Sequence, residues 1–215
     1  MNCMEYKIIV VTKLKQNCSI IWCKSTKIGV LIDPGENSKK IKNFVFLKKI
    51  NIKYIFLTHG HIDHIYAAKY FSKFYSVPII GPNIKEKLLF KLIPEQSEIF
   101  NFKKIPVFFP DFWVTDKQIF QVGKLKIQSF HCPGHSPGHV IFFIPDFNFL
   151  VVGDIIFKGS IGRTDLFGGN TKNMLCSIKK IFSLGEKNRI LPGHGDTTNT
   201  EEEKKNNLFL KEIEF

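Results

Sequence analysis

The chain has 215 residues, of which 44% are hydrophobic and 23% are charged, and its formal net charge is +12. This length and balance predict one soluble globular domain over residues 1–215, with a core large enough to leave room for a cleft. The sequence argues against a membrane-spanning protein, because no apolar run approaches the roughly 20 residues that a span needs. Residues 1–7 lack the basic-then-apolar pattern of a secretion signal, so we expect an unexported, cytoplasmic protein.

The cysteines indicate the redox environment of the protein, and the distribution of the lysines indicates which partners it binds. The cysteines are odd in number and lack the spacing of a disulfide framework, so we expect five reduced thiols, Cys3, Cys18, Cys23, Cys132 and Cys176. The lysines are scattered and accompany abundant Ile, Asn and Phe, a joint bias typical of an A+T-rich genome. We therefore do not expect nucleic acid as a partner. The positive charge would instead draw small anionic substrates toward a cleft.

The first half of the chain predicts strands followed by helices. Runs rich in β-branched residues predict strands at residues 6–11, 19–23, 28–32 and 54–57. Asp33-Pro34-Gly35 has turn chemistry and ends the third strand. Ser38 is the predicted N-cap of a helix that reaches about residue 49, and a second helix is predicted over residues 65–74.

The second half alternates strands with helices. Strands are predicted at residues 125–130, 139–144, 149–152 and 189–191, and helices at residues 170–182 and 201–210. Four times along the chain, a strand ends and a residue able to bind a metal follows at once. Loops at strand ends, held by a rigid sheet, are where α/β folds place their chemistry.

The most informative segment is residues 58–64, which read T-H-G-H-I-D-H. Histidine and aspartate are unfavourable to bury unless they are paired or bind a metal, so this density argues against a polar loop with a few exposed histidines. Imidazole and carboxylate together suit Zn²⁺, with Fe or Mn as alternatives, whereas Ca²⁺ and Mg²⁺ prefer oxygen alone. A structural zinc finger is excluded because no cysteine pair stands at finger spacing.

Three further residues fit a metal site: His135, Asp154 and His194. Each follows a predicted strand and has a neighbouring glycine, which permits the tight turn that aims a side chain inward. With the four ligand-type residues of 58–64 they make seven, which is too many for one tetrahedral Zn²⁺. Seven ligands suit two metals that share one carboxylate and leave open positions for a bridging water.

These pieces resemble the metallo-β-lactamase fold superfamily. The matching segments occur in the order of that family and are residues 33–35, 58–64, 133–135, 153–154 and 192–194. The resemblance implies an α/β (α+β) fold, a four-layer αββα sandwich of two mixed sheets with outer helices. It also implies that the metals lie at one edge of the sheets.

Position by position, the resemblance implies two metal half-sites and one shared ligand. The first metal would be held by His59, His61 and His135, the second by Asp63, His64 and His194, and Asp154 would bridge them. His131 and His139 match no ligand position and are expected to be structural. Asp33 either orients a ligand imidazole or is a plain turn residue.

Within the superfamily, the chain is most similar to glyoxalase II (hydroxyacylglutathione hydrolase) in a compact single-domain form. Residues 132–139, 153–165 and 191–195 carry this likeness. Only 21 residues follow His194, so we expect the helical C-terminal domain of larger glyoxalase II enzymes to be absent. No cysteine matches the second-metal cysteine of lactamase members, which argues against β-lactam hydrolysis.

The implied activity is a binuclear-metal thioesterase acting on small anionic substrates of the S-lactoylglutathione type. Two divalent ions, Zn first and Fe or Mn as alternatives, would activate a water, and Asp63 is the candidate catalytic residue that holds or passes its proton. Cys132 is expected to be a passive core thiol, and Arg163 and Asp165 are expected to pair as a structural brace.

Three alternatives stay open at this point. A persulfide dioxygenase would use a single iron and consume oxygen, which would leave the second-metal residues idle. A metal-dependent hydrolase or nuclease would act on another ester or a phosphodiester and would need a substrate-gripping extension. A metal-stabilised binding module without activity would have closed coordination.

Overall fold

The computed structural model describes residues 4–36 and 39–211, in which the first five strands form one mixed sheet. In spatial order these are β1 (Met4–Val11), β2 (Gln16–Cys23), β3 (Ile28–Ile32), β4 (Asn51–Phe56) and β5 (Ile79–Ile80). The pairs β1–β2 and β2–β3 are antiparallel, whereas β3–β4 and β4–β5 are parallel. The four strands predicted for this half of the chain are confirmed, with small shifts at their ends.

The second sheet has six strands. In chain order they are β6 (Ile119–Val122), β7 (Leu125–His131), β8 (Val140–Ile144), β9 (Phe149–Gly153), β12 (Arg189–Pro192) and β13 (Thr198–Asn199). Their spatial order is β13-β12-β9-β8-β7-β6, with β9 and β12 parallel and the other neighbours antiparallel. A small hairpin of β10 (Ile156–Phe157) and β11 (Ser160–Ile161) follows β9.

Helices fill the connections between the strands. They are α1 (Lys39–Leu47), α2 (Ile62–Ile65), α3 (Ala68–Tyr75), α4 (Lys87–Lys91), α5 (Ile93–Ile99), α6 (Thr171–Ser183) and α7 (Thr200–Asn206). Short 3₁₀ turns cover Ile84–Glu86, Pro145–Phe147 and Leu208–Leu210. No helix of the described ranges is long and apolar enough to cross a membrane.

Three buried clusters stack the molecule into four layers. The central cluster joins the facing sides of both sheets, with Phe56 of β4 stacked on Phe142 of β8 at a centroid distance of 4.6 Å. The outer face of the first sheet packs against α1 to α5, where Phe71 and Phe90 are fully buried. The outer face of the second sheet packs against α6 through Ile178 and its neighbours. The predicted αββα sandwich of two mixed sheets is confirmed.

Two predicted helices are broken in the structure. The helix expected over residues 65–74 is α2 followed by α3, because the N–H of Ala67 bonds outside the helix to the carbonyl of Pro34 at 2.9 Å. The helix expected over residues 201–210 ends at Asn206. Asn207 is extended, and its side chain donates to the carbonyl of Ser160 at 3.0 Å and to the carboxylate of Glu203 at 2.7 Å. The predicted cap Ser38 lies outside the described residues.

Candidate metal centre

The seven predicted ligand residues lie together at one edge of the two sheets. β4 leads into residues 58–64, the loop between β7 and β8 carries His135, and β9 and β12 deliver Asp154 and His194. Their possible ligand atoms form three groups, each within 4.8 Å: His59, His61 and His135; His59, His64 and Asp154; Asp63, His64 and His194. The structure therefore brings these loops together at one place. The role of each residue as a ligand stays a prediction.

Asp154 occupies the centre of this cluster. Its Oδ1 lies 3.4 Å from Nε2 of His64, and its Oδ2 lies 3.5 Å from Nε2 of His135 and 3.6 Å from Nε2 of His194. Gly193 makes this approach possible, because a Cβ at that position would stand 2.1 Å from Oδ1 of Asp154. One carboxylate thus faces imidazoles from three different loops.

The remaining contacts divide the cluster into two sides. On one side, Nδ1 of His61 and Nε2 of His135 are 2.9 Å apart. On the other, Oδ2 of Asp63 lies 3.2 Å from Nε2 of His194 and 3.8 Å from Nε2 of His64. Asp154 reaches toward both sides.

Several ligand-type atoms are buried without a partner. Within the described part of the chain, Nε2 of His59, Nε2 of His64 and Oδ1 of Asp154 have no hydrogen-bond partner. An unsatisfied buried polar atom is unfavourable and calls for an explanation such as a bound ion. Imidazole nitrogens and carboxylate oxygens are ligands of divalent transition metals, so the donor set fits such ions.

Hydrogen bonds outside the cluster fix which imidazole nitrogen faces inward. His135 donates from Nδ1 to the carbonyl of Arg163 at 2.8 Å, and His194 donates from Nδ1 to the carbonyl of Leu14 at 3.1 Å. His64 donates from Nδ1 to the carboxylate of Asp33 at 2.9 Å. When the ring is neutral, each bond leaves its Nε2 unprotonated and directed at the other ligand-type atoms, the arrangement seen around metal-binding histidines.

Burial keeps His59 and His61 neutral. It lowers the pKa of His61 to about 3, and the neighbouring His135 adds to this effect. Burial also lowers the pKa of His59 well below its usual value. A neutral imidazole is the form that binds a metal, so both side chains are ready to act as ligands at neutral pH.

The carboxylates change the balance on the second side. Burial would lower the pKa of His64, but Asp154 and Asp63 outweigh it and raise that pKa well above the usual value. Burial would raise the pKa of Asp63, but His64 and His194 hold it below its usual value. The same balance, with His64 as the main partner, lowers the pKa of Asp154. In the metal-free protein, a protonated His64 therefore supplies positive charge where a cation would bind.

The other histidines lie outside the three groups. His139 is buried, its Nε2 accepts the N–H of Asp154 at 3.1 Å, and its ring stacks on His59 at a centroid distance of 4.8 Å. His131 is half-buried and donates from Nε2 to the carbonyl of Pro137 at 3.0 Å. Both positions fit the structural roles expected for these residues.

The remaining expectations concern thiols and one ion pair. Cys132 is fully buried, and burial raises the pKa of its thiol to about 12, which fits a passive core thiol. Cys18 and Cys176 are also free thiols, Cys23 lies 3.4 Å from the hydroxyl of Ser25, and Cys3 lies outside the described residues. Arg163 and Asp165 form the expected ion pair, with two hydrogen bonds of 2.7 Å on the protein surface.

Sequence reasoning missed two residues that contact this centre. Glu86 and Gln96 lie in the helical segment 84–99, which was not predicted, and both bind the backbone of Gly60. Asn83, three residues before Glu86, caps the segment and was the available signal for a helix start. Nothing in the sequence marks Glu86 as buried.

Comparison with known proteins agrees with this fold. The family model of the metallo-β-lactamase superfamily matches residues 11–194. Hydroxyacylglutathione hydrolase GloC of Haemophilus influenzae is 37% identical over 209 residues, which cover 96% of this chain and 98% of that protein. The probable metallo-hydrolase YqgX of Bacillus subtilis is 31% identical over 182 residues, covering 84% of this chain and 86% of that protein.

Two crystal structures of similar chains have the same architecture. BLEG-1 B3 metallo-β-lactamase superposes with a TM-score of 0.88 at 30% identity, covering 96% of this chain and all of that chain. TTHA1623 in a di-iron-bound form superposes with a TM-score of 0.84 at 29% identity, covering 95% of this chain and all of that chain. With its family match and its His/Asp cluster at the sheet edge, this chain belongs to the metallo-β-lactamase superfamily and is a metal-dependent hydrolase.

Proposed function

We propose that the chain is a glyoxalase II-type thioesterase that uses two divalent metal ions to hydrolyse small anionic thioesters such as S-lactoylglutathione. The observation that carries the two-metal part is the position of Asp154. Its oxygens lie 3.5 Å from Nε2 of His135 on the first side and 3.4 and 3.6 Å from Nε2 of His64 and His194 on the second side. A carboxylate placed in this way suits a ligand shared between two ions.

The proposed ligand sets follow the two sides of the cluster. His59, His61 and His135 would hold the first ion. Asp63, His64 and His194 would hold the second, with Asp154 shared. Zinc is the first expectation and iron or manganese the alternatives, because imidazole and carboxylate suit all three. The di-iron form of TTHA1623 supports a centre of two ions and keeps iron among the candidates.

When bound, such ions would supply Lewis-acid chemistry that lowers the pKa of a water molecule to about 7 and polarises a carbonyl oxygen. Asp63 is the proposed proton acceptor, because its lowered pKa keeps the carboxylate ionised at neutral pH. The water oxygen bonds to the acyl carbon, its proton passes to Asp63, and the C–S bond breaks. The thiolate leaves without an acid, since a thiol has a pKa of about 8.5.

Two relatives support a thioester as the substrate. GloC of Haemophilus influenzae and the protein of Pelagibacter ubique, 31% identical over 190 residues, are both named hydroxyacylglutathione hydrolase. The net charge of +12 favours an anionic substrate. The free thiols Cys18, Cys132 and Cys176 support a reducing, cytoplasmic location.

A panel of substrates separates this proposal from its rivals. Purified protein loaded with Zn²⁺, Mn²⁺ or Fe²⁺ is expected to hydrolyse S-lactoylglutathione, measured by loss of thioester absorbance. It is expected to leave a β-lactam, a phosphodiester and a persulfide with oxygen unchanged. A protein that turns over one of these three and not the thioester would refute the proposed function. The β-lactam arm matters because one similar structure is a metallo-β-lactamase.

A further inference from the structure

The segment of residues 84–99 packs against the loops of the first proposed metal site. Glu86 from this segment is fully buried, and its two carboxylate oxygens accept hydrogen bonds from two different loops. Oε1 accepts the N–H of Gly60 at 2.8 Å, and Oε2 accepts the N–H of Gly138. Gly60 separates His59 from His61, and Gly138 is three residues after His135. One side chain therefore links the two stretches of chain that carry the first ligand set.

Gln96 binds the same peptide from the other side. Its Nε2 donates to the carbonyl of Gly60 at 3.1 Å and to that of Leu89 at 2.9 Å, while its Oε1 accepts the N–H of Ile62 at 3.0 Å. Both polar groups of the Gly60 residue are thus satisfied by side chains of the segment. Because those bonds flank both His59 and His61, they restrict the backbone dihedrals that aim the two rings.

The loop that carries His135 also packs closely against this segment. The N–H of Asn83 donates to the carbonyl of Gly138 at 3.0 Å, which complements the bond from Gly138 to Glu86. A Cβ on Gly138 would lie 2.4 Å from the backbone nitrogen of Glu86. Only glycine lets the loop approach the segment at this distance.

A contribution to folding stability does not explain why the Glu86 carboxylate is buried. Among the described residues, no Lys, Arg or His nitrogen pairs with its carboxylate within 4.0 Å. Burial raises the pKa of this carboxyl to about 7, which expresses how unfavourable its charge is there. A buried carboxylate without an ion pair is weak evidence for a stabilising role. Its geometry instead serves the alignment of two ligand loops.

We propose that Glu86 and Gln96 are positioning residues that lock the loop of His59 and His61 against the loop of His135 and so set the affinity of the first metal. Neither residue belongs to the proposed ligand set. This inference rests on the proposed two-metal site but not on the identity of the substrate. Substitution of residues that support metal ligands lowers metal affinity about 10- to 100-fold, which is the size of effect expected here.

The test uses Co²⁺ titration of the metal-free full chain, followed by visible absorption and by metal counting. The Glu86→Gln substitution keeps the shape but presents an amide nitrogen to one of the two N–H groups. It is introduced into His194→Ala, which retains the first ligand set, and into His135→Ala, which retains the second. We expect about 10- to 100-fold weaker Co²⁺ binding in the first background and unchanged binding in the second.

A matched control is Glu203→Gln. Glu203 is also buried, and its carboxylate accepts the N–H of Gly159 at 2.9 Å and the hydroxyl of Thr198 at 2.6 Å, so it ties other loops together. This variant is expected to unfold at a lower temperature with unchanged Co²⁺ affinity in the His194→Ala background. An equal loss of affinity in Glu203→Gln would reduce Glu86 to a structural residue and overturn the proposal.

Unchanged Co²⁺ affinity in Glu86→Gln, or equal losses in both backgrounds, would also overturn it. If Glu86→Gln does not fold, Gln96→Glu replaces it, since this change keeps the acceptor for Ile62 and removes the donor to Gly60. The same selective loss is expected, and unchanged affinity contradicts the proposal. Wild-type protein that binds two Co²⁺ but hydrolyses no thioester would refute the proposed function and leave this inference standing.

Discussion

Asp33 accepts a hydrogen bond from Nδ1 of His64 at 2.9 Å, so a carboxylate outside the proposed ligand set orients a proposed ligand. The same carboxylate accepts the hydroxyl of Thr58 at 2.6 Å, and that oxygen lies 3.0 Å from Nδ1 of His59. Because the hydroxyl proton points to Asp33, the oxygen is free to accept from His59. Asp33 also turns the chain, with φ of 50°. The two roles that the sequence left open are both present.

The Asp33→Asn substitution is expected to weaken zinc binding about 10- to 100-fold. Asparagine tolerates the left-handed backbone at this position, but its amide nitrogen does not accept the Nδ1 proton of His64. Competition with a chromophoric chelator measures the affinity. Asp116→Asn, at an exposed carboxylate that pairs with Lys180 at 3.4 Å, serves as the control and should bind zinc normally. Equal affinity in the two variants would contradict the role of Asp33.

Replacement of Asp154 by alanine is expected to abolish thioesterase activity and to reduce the metal content below two ions per chain. The reason is that Asp154 faces both sides of the cluster. Metal counting on the purified variant gives the result directly. Two tightly held ions in Asp154→Ala would rule out the bridging role.

The stability of the metal-free protein should depend on pH through His64. Burial lowers the pKa of His64 but Asp154 and Asp63 raise it above the usual 6.5, so the folded protein holds a proton that the unfolded chain releases. This contribution is fully present below pH 6.5 and is lost as the pH rises through the raised pKa. Urea unfolding of metal-free protein should therefore show falling stability above that pH. His64→Asn should lack this fall, and parallel profiles for the two proteins would contradict the assignment.

The raised pKa of Glu86 predicts a second pH dependence of the unfolding free energy, at lower pH than that of His64. Burial raises the pKa of its carboxyl from 4.5 to about 7, so its contribution to stability is present below pH 4.5 and is lost as the pH rises toward 7. The shift corresponds to ~3 kcal/mol. The difference in unfolding free energy between metal-free wild type and Glu86→Gln should change by about this amount across that range. A constant difference would show that Glu86 titrates normally.

Much of the sheet framework was predictable from local pattern. β3 begins and ends at the predicted residues, 28 and 32, because a β-branched run there meets the turn of Asp33-Pro34-Gly35. The break between α2 and α3 was not predictable, since it depends on the bond from Ala67 to Pro34, which lies 33 residues earlier. Helices α4 and α5 were not predicted, because they are short and the boundary between them at Leu92 has no glycine.

The candidate metal centre also contains residues that the sequence pattern predicts and residues that it does not. The clustering of the seven ligand-type residues could be predicted, because they follow strand ends, where loops of a sheet edge meet. Their role as ligands stays a prediction. Of the residues outside the ligand set that contact these loops, Asp33 was a candidate from its sequence position, whereas Glu86 and Gln96 were not. Glu86 acts on the peptide of Gly60 across 26 residues of chain, and its type is common on surfaces. Only tertiary structure reveals that this glutamate is buried.

If two metal ions together activate the water that cleaves the thioester, hydrolysis must depend on the second ion. Zn²⁺ is added stepwise to the metal-free protein, and hydrolysis of S-lactoylglutathione is recorded at each ratio of metal to chain. We expect activity to rise until two ions are bound per chain and then to stay constant. Full activity at one ion per chain, or no hydrolysis with two ions bound, would contradict it.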